Sequence, residues 1–279
     1  MITGPTCLPG TARLGSLKDR LKSQAFDMGI RFADDAVGRI LEKLEQCGLY
    51  EDTAIIISSD HGENQGELNV YGDHQTADLI TNRVPMILKW PGLNPATGSK
   101  RKVTDDALHY QFDVAATVVE LVGQQIPYKW DAVSFKEALI TGGEEGRKYL
   151  VASQAAWSCQ RAVIFGDHIL IRTYMDGLKD LPEIMLYDRV QDPHELVDIA
   201  AMKPDKVNEG LALLERWVTE QLMSSDTKED PMMKIIEEGG PFHTRGKLPD
   251  YAEYFKRIGR PEISELMLKK YRENPAYNP

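Results

Sequence analysis

The sequence predicts an α/β fold: a sheet flanked by helices, followed by a small antiparallel sheet with a helix packed against it. Three observations predict it. Apolar positions at helical spacing alternate with short apolar runs between residues 25 and 122. Four strand-like runs separated by turns follow between 149 and 187, and one amphipathic segment closes them at 205–222.

Residues 1–22 are rich in Gly, Pro and Thr, then basic, and read as a loop. Over 25–44, Phe26, Ile30, Ala33, Val37, Ile40, Leu41 and Leu44 recur at helical spacing, and Gly48 fits the left-handed residue that ends many helices. Residues 54–58 form an apolar run of strand length that stops abruptly before Asp60-His61-Gly62. A polar loop over 62–83 leads to a second run, Val84 to Trp90, closed by Pro91-Gly92. Residues 107–122 place Phe112, Ala115, Ala116, Val119 and Val122 on one helical side, with Gly123 behind them. The pattern then changes. Segments 149–153, 161–165, 168–174 and 183–187 are short strands, two of them separated by Gly166-Asp167, which suggests an antiparallel sheet. Over 205–222, Val207, Leu211, Leu214, Val218 and Leu222 share one face. Residues 224–279 are polar and hold at most two short helices. The expected division is therefore an α/β segment over 1–147, a small sheet-and-helix subdomain over 148–225 and an irregular extension over 226–279.

With 279 residues, 42% of them hydrophobic, the chain can bury a core and falls outside the disordered class. A net charge of −10 argues against a basic phosphate-binding face, so no nucleic-acid partner is expected. Cys7, Cys47 and Cys159 are too scattered for a disulfide framework or a paired-thiol metal site, and free thiols are expected. No apolar run reaches membrane-span length, and the N-terminus lacks the basic and apolar regions of a signal peptide. The expectation is no membrane partner and, for the chain as it stands, a cytoplasmic location.

Chemistry begins at Asp60-His61. A hard carboxylate beside an imidazole, at the carboxyl end of an apolar strand, can hold a divalent cation where open α/β sheets bind their ligands. The same pair also serves structure alone, Asp60 capping the next turn and His61 hydrogen-bonded at the rim of a core. Further on come Gly66-Glu67, Tyr71-Gly72-Asp73-His74, Arg83-Val84-Pro85 and Trp90-Pro91-Gly92.

In that order, SSDHGE…GE…YG.H…RVP.I..WPG resembles the C-terminal part of the sulfatases, in the alkaline phosphatase superfamily. Residues 33–41 and 48–53 look like the family's helix before this strand, 112–117 and 121–123 like its following helix. Leu186-Tyr187-Asp188, Asp192-Pro193-His194-Glu195 and Asp198-Ile199-Ala200 are similar to its closing stretch. The resemblance spans roughly residues 25–222. It implies an alkaline-phosphatase-like fold, incomplete here, with 1–147 as the C-terminal part of the catalytic domain. It also implies hydrolysis of a small-molecule or carbohydrate sulfate ester, using a formylglycine nucleophile and a divalent cation: Ca2+, with Mg2+ and Zn2+ as alternatives. Asp60 matches the family's ligating Asp, and His61 a position held by Asn or His. The Lys that the family places about a dozen residues later falls on Asp73. His74, next to it, is then the candidate for the catalytic and substrate-binding role, with Arg83 on the same rim.

The chain departs from the family where a C/S-x-P-x-R nucleophile signature is required. Cys7-Leu8-Pro9 matches its start, but Thr11 stands in place of Arg and Cys7 lies too close to Asp60 in sequence. Asp34-Asp35 lies inside the first predicted helix and is no metal pair. Negligible turnover is expected of the chain alone. A phosphoesterase of the same superfamily and a non-catalytic truncated module are the alternatives. Missing flanking strands would expose a sheet edge, so self-association or an N-terminal partner chain is expected. Trp157, Arg161, Arg172 and the GGPFHTR segment at 239–245 could line a substrate pocket; core packing for Trp157 and a solvated loop for GGPFHTR are the ordinary readings.

Overall fold

The computed structural model describes residues 17–93, 104–143 and 145–277; Cys7 and the signature fragment around it lie outside the described residues. In chain order the elements are α1 (Leu17–Gln46), β1 (Ile55–Ser58), β2 (Asn64–Gln65), β3 (Tyr71–Asp73), α2 (Leu79–Asn82), β4 (Met86–Lys89), α3 (Asp113–Leu121) and α4 (Lys136–Thr141). They continue with β5 (Tyr149–Gln154), β6 (Cys159–Phe165), β7 (His168–Met175), β8 (Ile184–Asp188), α5 (Pro204–Ser224), α6 (Pro231–Glu237), α7 (Leu248–Arg257) and α8 (Pro261–Tyr271). The α/β class holds. Contacts divide the chain into two units, one gathering Phe26–Ser59, and so most of α1, with Pro85–Leu150, the other gathering the chain up to Ala25, Asp60–Val84 and the chain from Val151 onward.

In the first unit, α1 is longer than its apolar spacing predicts. It starts at Leu17, inside the stretch read as a loop, because residues 17–24 are mostly good helix formers without Gly or Pro. It ends at Gly48 (φ 70), with Leu49 N donating to Leu44 O at 2.9 Å. β1 and β4 pair antiparallel, Ile55 opposite Lys89 and Ser58 opposite Met86. The helix predicted over 107–122 is shorter, because Leu108 is drawn into a β-bridge with Arg147. The fully buried Asp113 carboxylate fixes the helix start. It accepts from Tyr110 N and Val133 N, both at 2.8 Å, and takes the Arg147 guanidinium.

The second unit is built on a four-stranded antiparallel sheet in the order β5-β6-β7-β8. Every residue of β6 is buried, and Ile169, Leu170, Ile171 and Leu186 continue that core. α5 lies on this sheet through Gly210, where a side chain would meet Leu170 at 2.9 Å and Phe165 at 3.0 Å. Leu214, one helical turn on, is fully buried.

Three helices, rather than at most two, follow residue 224. Pro231, Pro249 and Pro261 read as breakers, yet each stands in the first turn of α6, α7 or α8, where a missing N–H costs nothing. α7 buries Leu248, Tyr251, Ala252 and Phe255, spaced for one helical face. With Ile263, Met267 and Tyr271 of α8 and with Leu178 and Tyr277, Leu248, Tyr251 and Phe255 make a second apolar cluster. Cys47 and Cys159 are free thiols, and burial pushes the Cys159 thiol up to about 11. No helix among the described residues is long and apolar enough to cross a membrane.

Strands as uniformly apolar as β1 and β4 suit a sheet covered on both faces, yet Ile56 and Ile87 are 42% and 59% exposed. Sedimentation velocity of the isolated chain should therefore show concentration-dependent self-association, and Ile87→Lys should shift it toward monomer. A monomer at all concentrations, with a high cooperative melting transition, would contradict this.

Candidate functional site

The segment from Asp60 to Val84 contains two very short strands, a 3-10 turn at Glu67–Asn69 and the single turn of α2, so polar side chains, rather than repetitive structure, set its shape. Their centre is Asp78, fully buried at the N-cap of α2. Its carboxylate accepts from Thr81 N at 2.9 Å, Asn64 Nδ2 at 3.1 Å and Thr76 Oγ1 at 2.5 Å. Asn64 Oδ1 in turn accepts from Thr81 Oγ1 at 2.8 Å. Burial pushes the Asp78 carboxyl above its usual range, and these donors oppose that push.

The segment is tied to the four-stranded sheet by side chains of β5 and β6 and of the turn before β6. Gln160 Oε1 accepts from Ala77 N at 3.1 Å, Ser158 Oγ donates to Gln75 O at 2.9 Å, and Gln154 Nε2 donates to His74 O at 2.8 Å. From the far end of the unit, Glu195 Oε1 accepts from Leu79 N at 2.8 Å. Glu195 holds a left-handed backbone (φ 53), and its Oε2 is buried without a hydrogen-bond partner among the described residues. Burial first, and the neighbouring Asp78 charge second, push its carboxyl up to about 8.

On this frame the loop carries its candidate residues. Gly62 is obligatory: a Cβ there would lie 1.8 Å from Ile80 O, and Gly62 N donates to Thr81 O at 2.8 Å. The close approach turns His61 onto His74, their rings stacked at 3.7 Å and 27°. His61 Nδ1 lies 2.8 Å from Gly62 O, and a carbonyl only accepts, so Nδ1 carries the proton. His61 Nε2 then faces Asp60 Oδ2 at 3.7 Å, while Asp60 Oδ1 accepts from His61 N at 2.9 Å. The Asp60 side chain is 85% exposed, those of His61 and His74 36% and 40%. Asp73, in the place where a Lys is expected, turns its carboxylate onto its own loop. It accepts from His74 N and Gln75 Nε2, both at 2.8 Å, and its Oδ1 lies 3.4 Å from His74 Nδ1.

Asp60, His61 and His74 are thus brought together; Arg83 is not. It is exposed at the C-cap of α2, and among the described residues no hydrogen bond or ion pair joins its guanidinium to the other three. Arg161 is engaged bidentately by Asp230, and Arg172 pairs with Glu215. The GGPFHTR segment is anchored rather than solvated: Pro241 and Thr244 are buried, His243 N donates to Ala156 O at 2.9 Å, and the His243 ring stacks on Trp157 at 4.4 Å. Among the described residues no group of three or more His, Cys, Asp or Glu is arranged to hold a metal ion. Asp60 and His61 fit such an ion in kind, offering a hard oxygen and an imidazole nitrogen, but fall short in number. Asn64 and Asp78, which hold the loop, carried no sequence signal beyond lying in it, and Gln160 carried none beyond lying in a predicted strand; Glu195 did, in the Asp-Pro-His-Glu stretch.

Residues 17–124 match the family model of the sulfatases. An N-acetylglucosamine-6-O-sulfatase of Bacteroides thetaiotaomicron is 27% identical over 215 residues, 74% of this chain and 37% of the relative. The multifunctional alkaline phosphatase superfamily protein PehA of Trinickia caryophylli is 31% identical over 110 residues, 39% of this chain and 20% of the relative. A solved structure of a protein in complex with its substrate D-glucosamine-2-N,6-O-disulfate shares 26% identity at a TM-score of 0.58, over 71% of this chain and 40% of that one. A putative sulfatase from Bacteroides fragilis, 23% identical, shares the fold at the same TM-score of 0.58 over 74% of this chain and 42% of that one. The chain therefore spans between a fifth and about two fifths of the length of these relatives.

Glu195 makes the loop's attachment pH-dependent. A carboxyl raised from 4.5 to about 8 on folding binds its proton more tightly in the folded state, so its contribution is full below pH 4.5 and is lost as pH rises toward 8. Glu195→Gln keeps the acceptor for Leu79 N and removes that loss, which should raise stability at pH 7 by on the order of 3 kcal/mol and flatten the slope between pH 5 and 8. Thermal melts across that range check it; an unchanged slope contradicts it.

Proposed function

With residues 17–124 belonging to the sulfatase family of the alkaline phosphatase superfamily, we propose that the protein hydrolyses sulfate esters, Asp60 and His61 serving as ligands of a divalent cation and His74 as the adjacent proton donor. The observation that carries this reading is the orientation of His61. With Nδ1 committed to Gly62 O, the ring presents Nε2 to Asp60 Oδ2 at 3.7 Å. A divalent cation lying against both would take one oxygen and one nitrogen ligand from this chain. A bound divalent cation, calcium before magnesium or zinc, supplies Lewis-acid polarisation of the ester oxygens.

The chain's own residues orient the substrate and move the proton. Asp73 Oδ1 lies 3.4 Å from His74 Nδ1 and orients the ring, so that a doubly protonated His74 would keep its Nδ1 proton toward Asp73 and give its Nε2 proton to the departing alkoxide, leaving the neutral ring and the alcohol. Stacking on His61 holds the ring against rotation. The remaining ligands and the formylglycine nucleophile are assigned to polypeptide beyond the matched part, in the same or another chain. A carbohydrate sulfate is the favoured substrate, because the relative acting on N-acetylglucosamine-6-O-sulfate aligns with 74% of this chain. The stacked His61–His74 pair supports a second reading, a phosphoester hydrolase, since two imidazoles beside a carboxylate also suit zinc.

Calorimetric titration of the chain with calcium should give weak binding that Asp60→Ala abolishes and His74→Ala keeps; equal binding by the Asp60 variant contradicts the ligand assignment. In the full-length protein, His74→Ala should lower kcat on sulfate esters by about 100-fold or more. Sulfate esters should be turned over faster than the matching phosphate esters, and the reverse order would favour the second reading.

A further inference from the structure

The GGPFHTR segment holds an aromatic side chain out in solvent on a closely fixed turn. Phe242 is 76% exposed and His243 is exposed beside it, although Pro241 and Thr244 on either side are buried. Pro241 O accepts from Arg245 N at 2.8 Å and from Thr244 N at 3.1 Å. Gly240 O accepts from Arg245 Nη2 at 2.9 Å and Nε at 3.2 Å. Gly240 itself (φ 89) enters the turn where a Cβ would lie 2.6 Å from Met175 Cε. Packing therefore fixes the backbone that presents Phe242.

A lone exposed Phe needs no explanation. This one is the outer member of a set of rings. It meets His243 edge-on, centroids 5.2 Å apart at 80°, and His243 stacks on the half-buried Trp157 at 4.4 Å and 24°.

Hydrogen bonds join this set to the candidate site. Gln154 Nε2 donates to His74 O at 2.8 Å, Gln154 Oε1 accepts from Ala156 N at 2.9 Å, and Ala156 O accepts from His243 N at 2.9 Å. One side chain and one backbone residue thus separate His74 from His243, and all of these residues belong to the same unit.

Size and chemistry decide what such a surface binds. Two exposed rings and part of a third offer on the order of 200–300 Å2, far below the roughly 1,000 Å2 of a stable protein interface. That area matches one face of a sugar ring, whose C–H groups lie against an aromatic ring while its hydroxyls stay in water. Arg245, exposed and with Nε and Nη2 turned to Gly240 O, keeps Nη1 for a hydroxyl.

We propose that Phe242, His243 and Trp157 form a stacking platform for a neutral sugar ring of an extended carbohydrate sulfate, next to the unit that carries the ester. The proposal rests on the carbohydrate reading given above and adds a determinant of substrate length. An oligosaccharide sulfate reaches the platform; a small aryl sulfate does not.

Titration of the chain with unsulfated N-acetylglucosamine and its β-linked dimer, followed by histidine-ring and tryptophan-indole NMR signals, tests it on wild type, Phe242→Ala, Phe242→Trp and Asp60→Ala. In wild type the dimer should move the His243 and Trp157 signals. Phe242→Ala, a change at a solvent-exposed position, should bind at least about fivefold more weakly, and Phe242→Trp at least as well as wild type. In the full-length protein, Phe242→Ala should raise KM for a sulfated oligosaccharide about fivefold, with kcat and the turnover of a small aryl sulfate unchanged. The proposal is overturned by a wild-type chain in which neither saccharide moves those signals, by wild-type affinity in Phe242→Ala, or by equal losses on oligosaccharide and aryl sulfate. It is overturned too if Phe242→Ala abolishes self-association, which would give the patch to a second copy. Asp60→Ala separates the two readings. Calcium binding lost with saccharide binding intact supports both, whereas calcium binding that survives beside intact saccharide binding removes the cation reading and leaves the platform standing.

Discussion

A single buried carboxylate, Asp78, fixes the geometry from which every functional statement about this protein follows. It gathers Asn64, Thr76 and the start of α2 around itself in a segment with almost no repetitive structure. Because those partners come from both halves of the loop, the chain on either side of Tyr71 is drawn together. His61 and His74 stack only because of that closure. A network of this kind is rigid when fully satisfied and fails as a whole when one member is lost. Glu195 is its one strained member, buried with an oxygen unmatched.

Much of the fold was legible in the sequence because burial periodicity wrote it there. The four strands of the second unit, α5, and the β1 and β4 runs fall within a residue or two of their apolar patterns. What was misread shares one cause: residues whose usual meaning is reversed by position. Proline at a helix start looks like a breaker, and so α6 to α8 were undercounted. Leu108 has helical spacing but a strand partner in Arg147, more than thirty positions away. Long-range pairing of that kind leaves no local trace.

The candidate site divides in the same way. Asp60, His61 and His74 were visible because each belongs to a compact motif with family-like neighbours. Gln160 was not, because its relevance depends on which strand lies against which loop. The same is true of sign. Asp73 alone suggests a site hostile to anions, whereas in the fold its carboxylate is turned onto its own loop, accepting from His74 N and Gln75 Nε2. Charge at a site is a property of the packed surroundings, not of one aligned position.

The central claim is that Asp60 and His61 are two ligands of one cation, with His74 stacked beside them. Paramagnetic broadening of the six histidine ring signals by substoichiometric Mn2+ tests it most directly. The account predicts that His61 broadens first and His74 next, while His109, His168, His194 and His243 stay sharp, and that Asp60→Ala abolishes the selectivity. Uniform broadening of all six rings, or selectivity that survives Asp60→Ala, would contradict it.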